Sequence, residues 1–222
     1  MNQTFENRPA AGRLLAEKLA FLSEQPGLTV LALPRGGVPV AAEIAHRLKA
    51  VLDVLVVRKV GAPANPELAL GAIASGGFRV LNHRVMEEVG VSPVDFNRLA
   101  AREAAELNRR EREYRQGRPA PAVRQVTVIL VDDGIATGSS MRVAVTALRQ
   151  AGAGRIIVAA PVAARESYLE LREHVSDFIT LALPRHFGSV AEFYADFEPT
   201  TDAEVRELLH HAWQEQEAVV AG

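Results

Sequence analysis

Val126–Met141 reads VTVILVDDGIATGSSM, and the organisation of the chain follows from it. Val126, Val128, Ile129, Leu130 and Val131 form a short β-branched and aliphatic run that predicts a strand buried on both faces. The run stops at two adjacent acids, Asp132 and Asp133. Gly134, Ile135, Ala136, Thr137, Gly138, Ser139 and Ser140 then make a small, hydroxyl-rich turn, and an apolar-periodic segment begins at Met141. Backbone amides at a helix N-terminus lack intrahelical partners and carry partial positive charge, so they suit a phosphate dianion. Glycine allows close backbone approach, and the hydroxyls of Thr137, Ser139 and Ser140 can donate to phosphate oxygens. Two ionised carboxylates only accept hydrogen bonds, which suits a vicinal diol offering two O–H donors. The stretch therefore reads as a sugar-phosphate cradle, with an ordinary βα turn as the plainer alternative.

VDDGIATGSS resembles the phosphoribosyl-pyrophosphate (PRPP) signature of type I phosphoribosyltransferases. Leu33–Gly37 (LPRGG), Val57–Pro63 (VRKVGAP) and Asn65–Ile73 (NPELALGAI) extend the resemblance over roughly residues 5–210, to the bacterial members of unassigned base specificity. The resemblance implies transfer of the 5-phosphoribosyl group of PRPP to a nucleobase-like acceptor, with release of pyrophosphate. Asp132 and Asp133 would hold the ribose hydroxyls, residues 134–140 the 5′-phosphate, and Arg35, Gly36 and Gly37 the pyrophosphate. Mg²⁺ is the implied cofactor, carried on PRPP and water oxygens, so no protein metal ligand is expected. Relatives acting on 6-oxopurines usually have an acid just before the Thr-Gly of the motif. Ala136 stands there, which argues against a guanine or hypoxanthine specialist. A PRPP-sensing regulator without turnover is the alternative on the same fold.

Residue by residue, the remaining chain fits an α/β architecture: a mainly parallel sheet with helices on both faces. A helix is predicted from Pro9 to about Gln25 through Leu14, Leu15, Leu19 and Leu22, then a strand over Leu28–Leu33. The glycine pair at 36–37 exposes amides as an anion nest, and Arg35 can fork onto phosphate oxygens, although Arg-Gly-Gly turns are also common structural turns. A helix over Val38–Lys49 precedes a strand predicted over Leu52–Val57. Arg58 and Lys59 then fall at a strand's carboxyl end, where ligands collect in open parallel sheets; the resemblance implies that they join Asp132 and Asp133 as catalytic residues by stabilising the departing pyrophosphate, and a solvated charge pair is the other reading. Residues 61–67 are rich in breakers and read as an irregular, mobile lid. Ala69–Ser75 and Phe78–Leu81 read as an edge hairpin split by Gly76-Gly77.

Ser92-Pro93-Val94-Asp95 opens a helix with an N-cap serine, proline at the first position and an early acid. Its later part interleaves Arg109, Arg110, Arg112 and Arg115 with Glu111 and Glu113, which predicts an exposed, salt-bridged face, open to a dimer contact. Beyond the cradle come a helix over Met141–Ala151, a strand over Arg155–Ala160, a helix over Arg165–His174 and a strand over Phe178–Leu183. His186 and Phe187 are candidates for the wall of a base-binding hood, or simply for core packing, and Phe5 and Arg8 are open to the same role. One domain over residues 1–222 is expected: a core at about 27–185, a helical insertion at about 82–118, and a hood from 1–26 and 184–222.

Composition narrows the function classes. Of the 222 residues 48% are hydrophobic, ample for a core, and none is cysteine, which excludes disulfides and thiolate metal sites. A formal net charge of −2 argues against general nucleic-acid binding. No long apolar segment suggests a membrane span, and the first residues lack a secretory pattern, so a cytoplasmic protein, acting as a homodimer, is the expectation. The glycine turn lacks the lysine of a P-loop, and no HExxH or GxSxG motif occurs.

Overall fold

A computed structural model describes residues 4–23 and 25–221, with side chains to residue 218. The chain enters through α1 (Arg8–Lys18), capped by Asn7, whose side chain accepts from the Ala10 amide at 2.9 Å. β1 (Thr29–Ala32) passes through the Arg35-Gly36 turn into α2 (Gly37–Leu48), and β2 (Val51–Val54) follows. Next come β3 (Val57–Ala62), β4 (Asn65–Ala74), β5 (Phe78–Leu81), α3 (His83–Glu88) and α4 (Pro93–Arg115). β6 (Thr127–Val131), α5 (Ser139–Gln150), β7 (Arg155–Val162), α6 (Arg165–Arg172) and β8 (Asp177–Ala182) alternate, and α7 (Asp202–Ala221) closes the chain.

Five strands form a parallel sheet in the order β2–β1–β6–β7–β8, with β6 in the middle, and all five of its residues are buried. Alternation along the strands feeds two cores. Val30, Ala32, Ile129, Val131 and Ile157 pack with residues of α1, α2 and α7; Leu31, Val128, Leu130, Ile156 and Val158 pack with α5 and α6. Each of the valine, leucine and isoleucine side chains contributes about 1.5–3 kcal/mol, against about 0–1 kcal/mol for an exposed ion pair, so the cores hold the sheet. No helix among the described residues is long and apolar enough to cross a membrane.

The structure differs from expectation between residues 52 and 67. The strand predicted over 52–57 ends at Val54, and Val57 begins β3 in a separate antiparallel sheet, β3–β4–β5. Ser75 explains the break: its amide donates to the Val56 carbonyl at 2.9 Å and its hydroxyl accepts from the Val56 amide at 2.8 Å. That capture turns the chain out of the parallel sheet. Arg58 and Lys59 therefore lie inside a hairpin strand instead of at a parallel strand's end. The segment predicted as irregular is mostly that hairpin, with only Pro63 and Ala64 in its turn. Register shifts flank Gly61, where a Cβ would sit 2.3 Å from the Pro66 carbonyl oxygen, so the bulge requires glycine. α1 is also shorter than expected, followed by a 3-10 turn at Ala20–Leu22, and Leu14 is 44% exposed.

Elsewhere the expected elements are present. Ser92 caps α4 by accepting from the Asp95 amide at 3.2 Å. The outer face of α4 pairs Glu106 with Arg109 and Arg110, and Arg109 with Glu113. Arg115 behaves differently: it turns inward onto Asp53 of β2 at 3.0 Å, onto Glu111 at 2.8 Å and onto the Val54 carbonyl, tying the end of α4 to the sheet.

Candidate active site

β1 and β6 are neighbours in the sheet, with Ala32 beside Val131, so the turns that leave their carboxyl ends meet. Gly36 and Gly37 lie directly against the paired acids. A Cβ on Gly36 would fall 2.0 Å from Asp133 Oδ2, and one on Gly37 would fall 2.8 Å from the Val131 carbonyl oxygen and 3.0 Å from Asp132 Cα. Only glycine permits this approach. The Pro34–Arg35 peptide bond in this turn is cis.

Each acid has one oxygen engaged within the protein. Asp132 Oδ1 accepts from the Asp133 amide at 2.9 Å, and Asp133 Oδ2 accepts from Arg8 Nε at 2.7 Å. The other oxygen of each makes no hydrogen bond among the described residues, which leaves one acceptor on each acid. Burial, and then the charge of Asp133, push the Asp132 carboxyl well above the usual range. Burial also raises Asp133, against the opposing hydrogen bond and charge of Arg8. The pair therefore resists carrying two full negative charges until something positive or hydrogen-bonding faces it.

Residues 134–140 curve from the acids to α5. Ile135 is held by β7's extension: its amide donates to the Val162 carbonyl at 2.9 Å and its carbonyl accepts from the Ala164 amide at 2.8 Å. The buried Ser167 donates to the Ala136 carbonyl at 2.5 Å. Gly138 is left-handed, φ +69°, and stands at the N-cap of α5, where it offers no capping side chain; the Ser139 amide has only a long bond of 3.5 Å to Thr137 Oγ1. Thr137 and Ser140 are exposed and Ser139 is half-buried, with Thr137 Oγ1 and Ser139 Oγ 3.0 Å apart. Arg142 braces the turn from outside, donating to the Thr137 carbonyl at 3.0 Å while paired with Glu170 at 2.9 Å.

The cations divide. Arg35 is exposed and has no ion-pair partner among the described residues; the same holds for Lys59. Arg58 is bound to Glu103 of α4 at 2.6 Å. Adjacent strand residues face opposite ways, so Arg58 and Lys59 do not act on one point together. His186 is exposed, and Phe187 stacks on the buried Phe193 with ring centroids 5.5 Å apart. The segment that carries Phe193 reaches the cradle, since Val190 fills the space where a Gly134 side chain would be.

The contacts of Arg8 and Tyr194 at this site are not legible from sequence. Arg8 stands 125 positions from Asp133, and Tyr194 donates to the Asp133 carbonyl at 2.6 Å across 61 positions. Arg142 was findable: a basic residue one turn into the helix behind a phosphate-type turn is a local signal.

A family model of the phosphoribosyl transferase domain matches residues 1–198. Two curated proteins from strains of Mycobacterium tuberculosis, each provisionally named a phosphoribosyl transferase, are 40% identical to the chain over 208 residues. Those alignments take in 94% of this chain and 47% of each relative, so the chain spans about half the length of the curated relatives it matches. The crystal structure of TT1426 from Thermus thermophilus is similar at a TM-score of 0.83 and 43% identity, over 94% of this chain and 99% of that one. The chain, with its glycine turn lying on paired acids and an uncapped helix beyond them, belongs to the phosphoribosyl transferase domain family.

Proposed function

We propose that this chain transfers the 5-phosphoribosyl group of PRPP to a nitrogenous base and releases pyrophosphate. The observation that carries the reading is the pair of adjacent carboxylates, each with one oxygen free of hydrogen bonds among the described residues, followed by a turn into a helix N-terminus without a side-chain cap from its N-cap residue. Two acceptors match the two ribose hydroxyls, and the amides and hydroxyls of residues 134–140 take the 5′-phosphate. Arg35, without a carboxylate partner among the described residues, and the amides of Gly36 and Gly37 take the pyrophosphate across the same rim. Lys59 is better suited than Arg58 to assist there, since Arg58 would have to leave Glu103.

A ring nitrogen of the base forms the new bond to C1′ while the C1′–O bond to pyrophosphate breaks, and the bonding pair leaves with pyrophosphate. Positive charge develops on the ribosyl ring, and Asp132 and Asp133 offset it from fixed positions. Orientation of the two reactants supplies much of the rest, with no covalent enzyme intermediate. Among the described residues no three His, Cys, Asp or Glu side chains gather into a metal cage. A Mg²⁺ held by PRPP and water oxygens would neutralise pyrophosphate charge. His186 and Phe187 would form one wall for the base, and the absence of an acid at Ala136 favours acceptors other than 6-oxopurines.

Incubation of labelled PRPP and Mg²⁺ with a panel of bases tests the reading. Base-dependent release of pyrophosphate is expected for at least one acceptor. PRPP binding without turnover of any base would favour a PRPP sensor, and no PRPP binding would remove the assignment.

A further inference from the structure

Arg8 sits at the first turn of α1, far in sequence from the acids, yet its side chain is 10% exposed and ends on Asp133, itself 14% exposed. Its Nη1 donates to the Glu198 carbonyl at 2.8 Å, and its guanidinium carbon lies 3.8 Å from the centroid of the Phe197 ring. Backbone bonds clasp the same segments: the Phe5 amide to the Phe193 carbonyl, and the Ala195 amide to the Phe5 carbonyl, each at 2.8 Å. Tyr194 closes the clasp on the Asp133 carbonyl.

We propose that Arg8 is a positioning residue for Asp133: it keeps this carboxylate charged and turned so that one oxygen faces the ribose, and it couples that state to the seating of residues 193–198 on the amino-terminal segment. The inference rests on the proposed transferase reading. A carboxylate can rotate about its Cβ–Cγ bond, and the Nε–Oδ2 bond opposes that rotation, leaving Oδ1 as the acceptor without a partner among the described residues. A guanidinium does this while also stacking on Phe197, which an ammonium cannot match. The groups facing the pair are Asp132 beside it, the Tyr194 phenol, which burial keeps neutral by raising its pKa, and Glu204 of α7, whose carboxyl is lowered chiefly by Thr201 and only weakly by Arg8. Arg8 is thus the cation that opposes the burial of Asp133.

The test compares the wild-type chain with Arg8→Gln and Arg8→Lys. Carbon NMR of the Asp133 carboxyl, without ligand, should show its midpoint rising by about one unit or more in Arg8→Gln and staying near wild type in Arg8→Lys. The acid limb of kcat/KM against pH should move up with it, so the loss in Arg8→Gln should approach about tenfold on the acid side, below both midpoints, and shrink towards none on the alkaline side, above them. A structural role alone would give the same loss at every pH and an unmoved midpoint, and that result overturns the inference. A moved midpoint in a protein that fails to bind PRPP would instead overturn the transferase reading and leave the Arg8–Asp133 coupling standing.

Discussion

Gly36→Ala isolates the contact on which the site depends. Gly36 has φ −59° and ψ −30°, an ordinary helical conformation, so alanine meets no backbone strain there. By itself the substitution should stabilise the fold by about 0.4–1 kcal/mol, because alanine restricts the unfolded chain. The added Cβ, however, would lie 2.0 Å from Asp133 Oδ2, 2.7 Å from its Cγ and 3.2 Å from Arg8 Nε. Relieving that overlap means moving the glycine turn off the acids or breaking the Arg8–Asp133 pair, at about 1–3 kcal/mol for overpacking of this kind. The clash should win, with a net loss of roughly 0.5–2 kcal/mol and a melting temperature lower by about 2–4 °C per kcal/mol for a chain of this size. PRPP affinity measured by titration calorimetry should fall by at least about tenfold, since every route of relief spoils the diol or pyrophosphate geometry. A double-mutant cycle sharpens the test. In an Asp133→Ala background the obstructing carboxylate is gone, so Gly36→Ala should turn neutral or stabilising, with a coupling of about 1–3 kcal/mol. A single Gly36→Ala variant that melts higher than wild type, with no coupling to position 133, would refute the packing of the glycine turn on the acids.

Other expected outcomes follow from the charges. Asp132 has a folded pKa held above its unfolded value, so its favourable contribution is complete below the ordinary carboxylate range and lost as pH rises through the raised value. Asp132→Asn should therefore gain about 0.5–2 kcal/mol at neutral pH while losing turnover, and the gain should vanish in melts at about pH 3–4; destabilisation at pH 7 counts against the buried-charge account. Lys59→Ala should slow both the forward reaction and pyrophosphorolysis without shifting the melting temperature, and wild-type kinetics in both directions would return Lys59 to a solvent role. Asp53→Ala removes one of the two carboxylates on the buried Arg115 and should cost about 1.5–3 kcal/mol in denaturant titration, whereas Arg109→Ala on the outer face of α4 should cost about 0–1 kcal/mol. Equal effects of the two would mean that the inward turn of Arg115 does not anchor α4.

The division between what sequence reveals here and what it conceals follows the range of the interactions. β6 was legible because a run of aliphatic residues buried on both faces admits few other placements, and the turn after it because its glycines, hydroxyls and helix start are consecutive. The 52–67 region misled for a related reason: the apolar pattern continues through Val57, and what ends the strand is Ser75, 19 positions away, bonding to Val56. Breakers at 61–67 suggested a loop, yet Gly61 serves there as a bulge within paired strands. The same logic applies inside the site. Groups that would touch a sugar phosphate through backbone amides or adjacent carboxylates must be close in sequence, because one turn presents them together. Groups that set the charge of those carboxylates need only be close in space, and Arg8 reaches Asp133 from 125 positions away. A motif can therefore report what kind of ligand a turn is shaped for, while the protonation of its acids is a property of the folded chain.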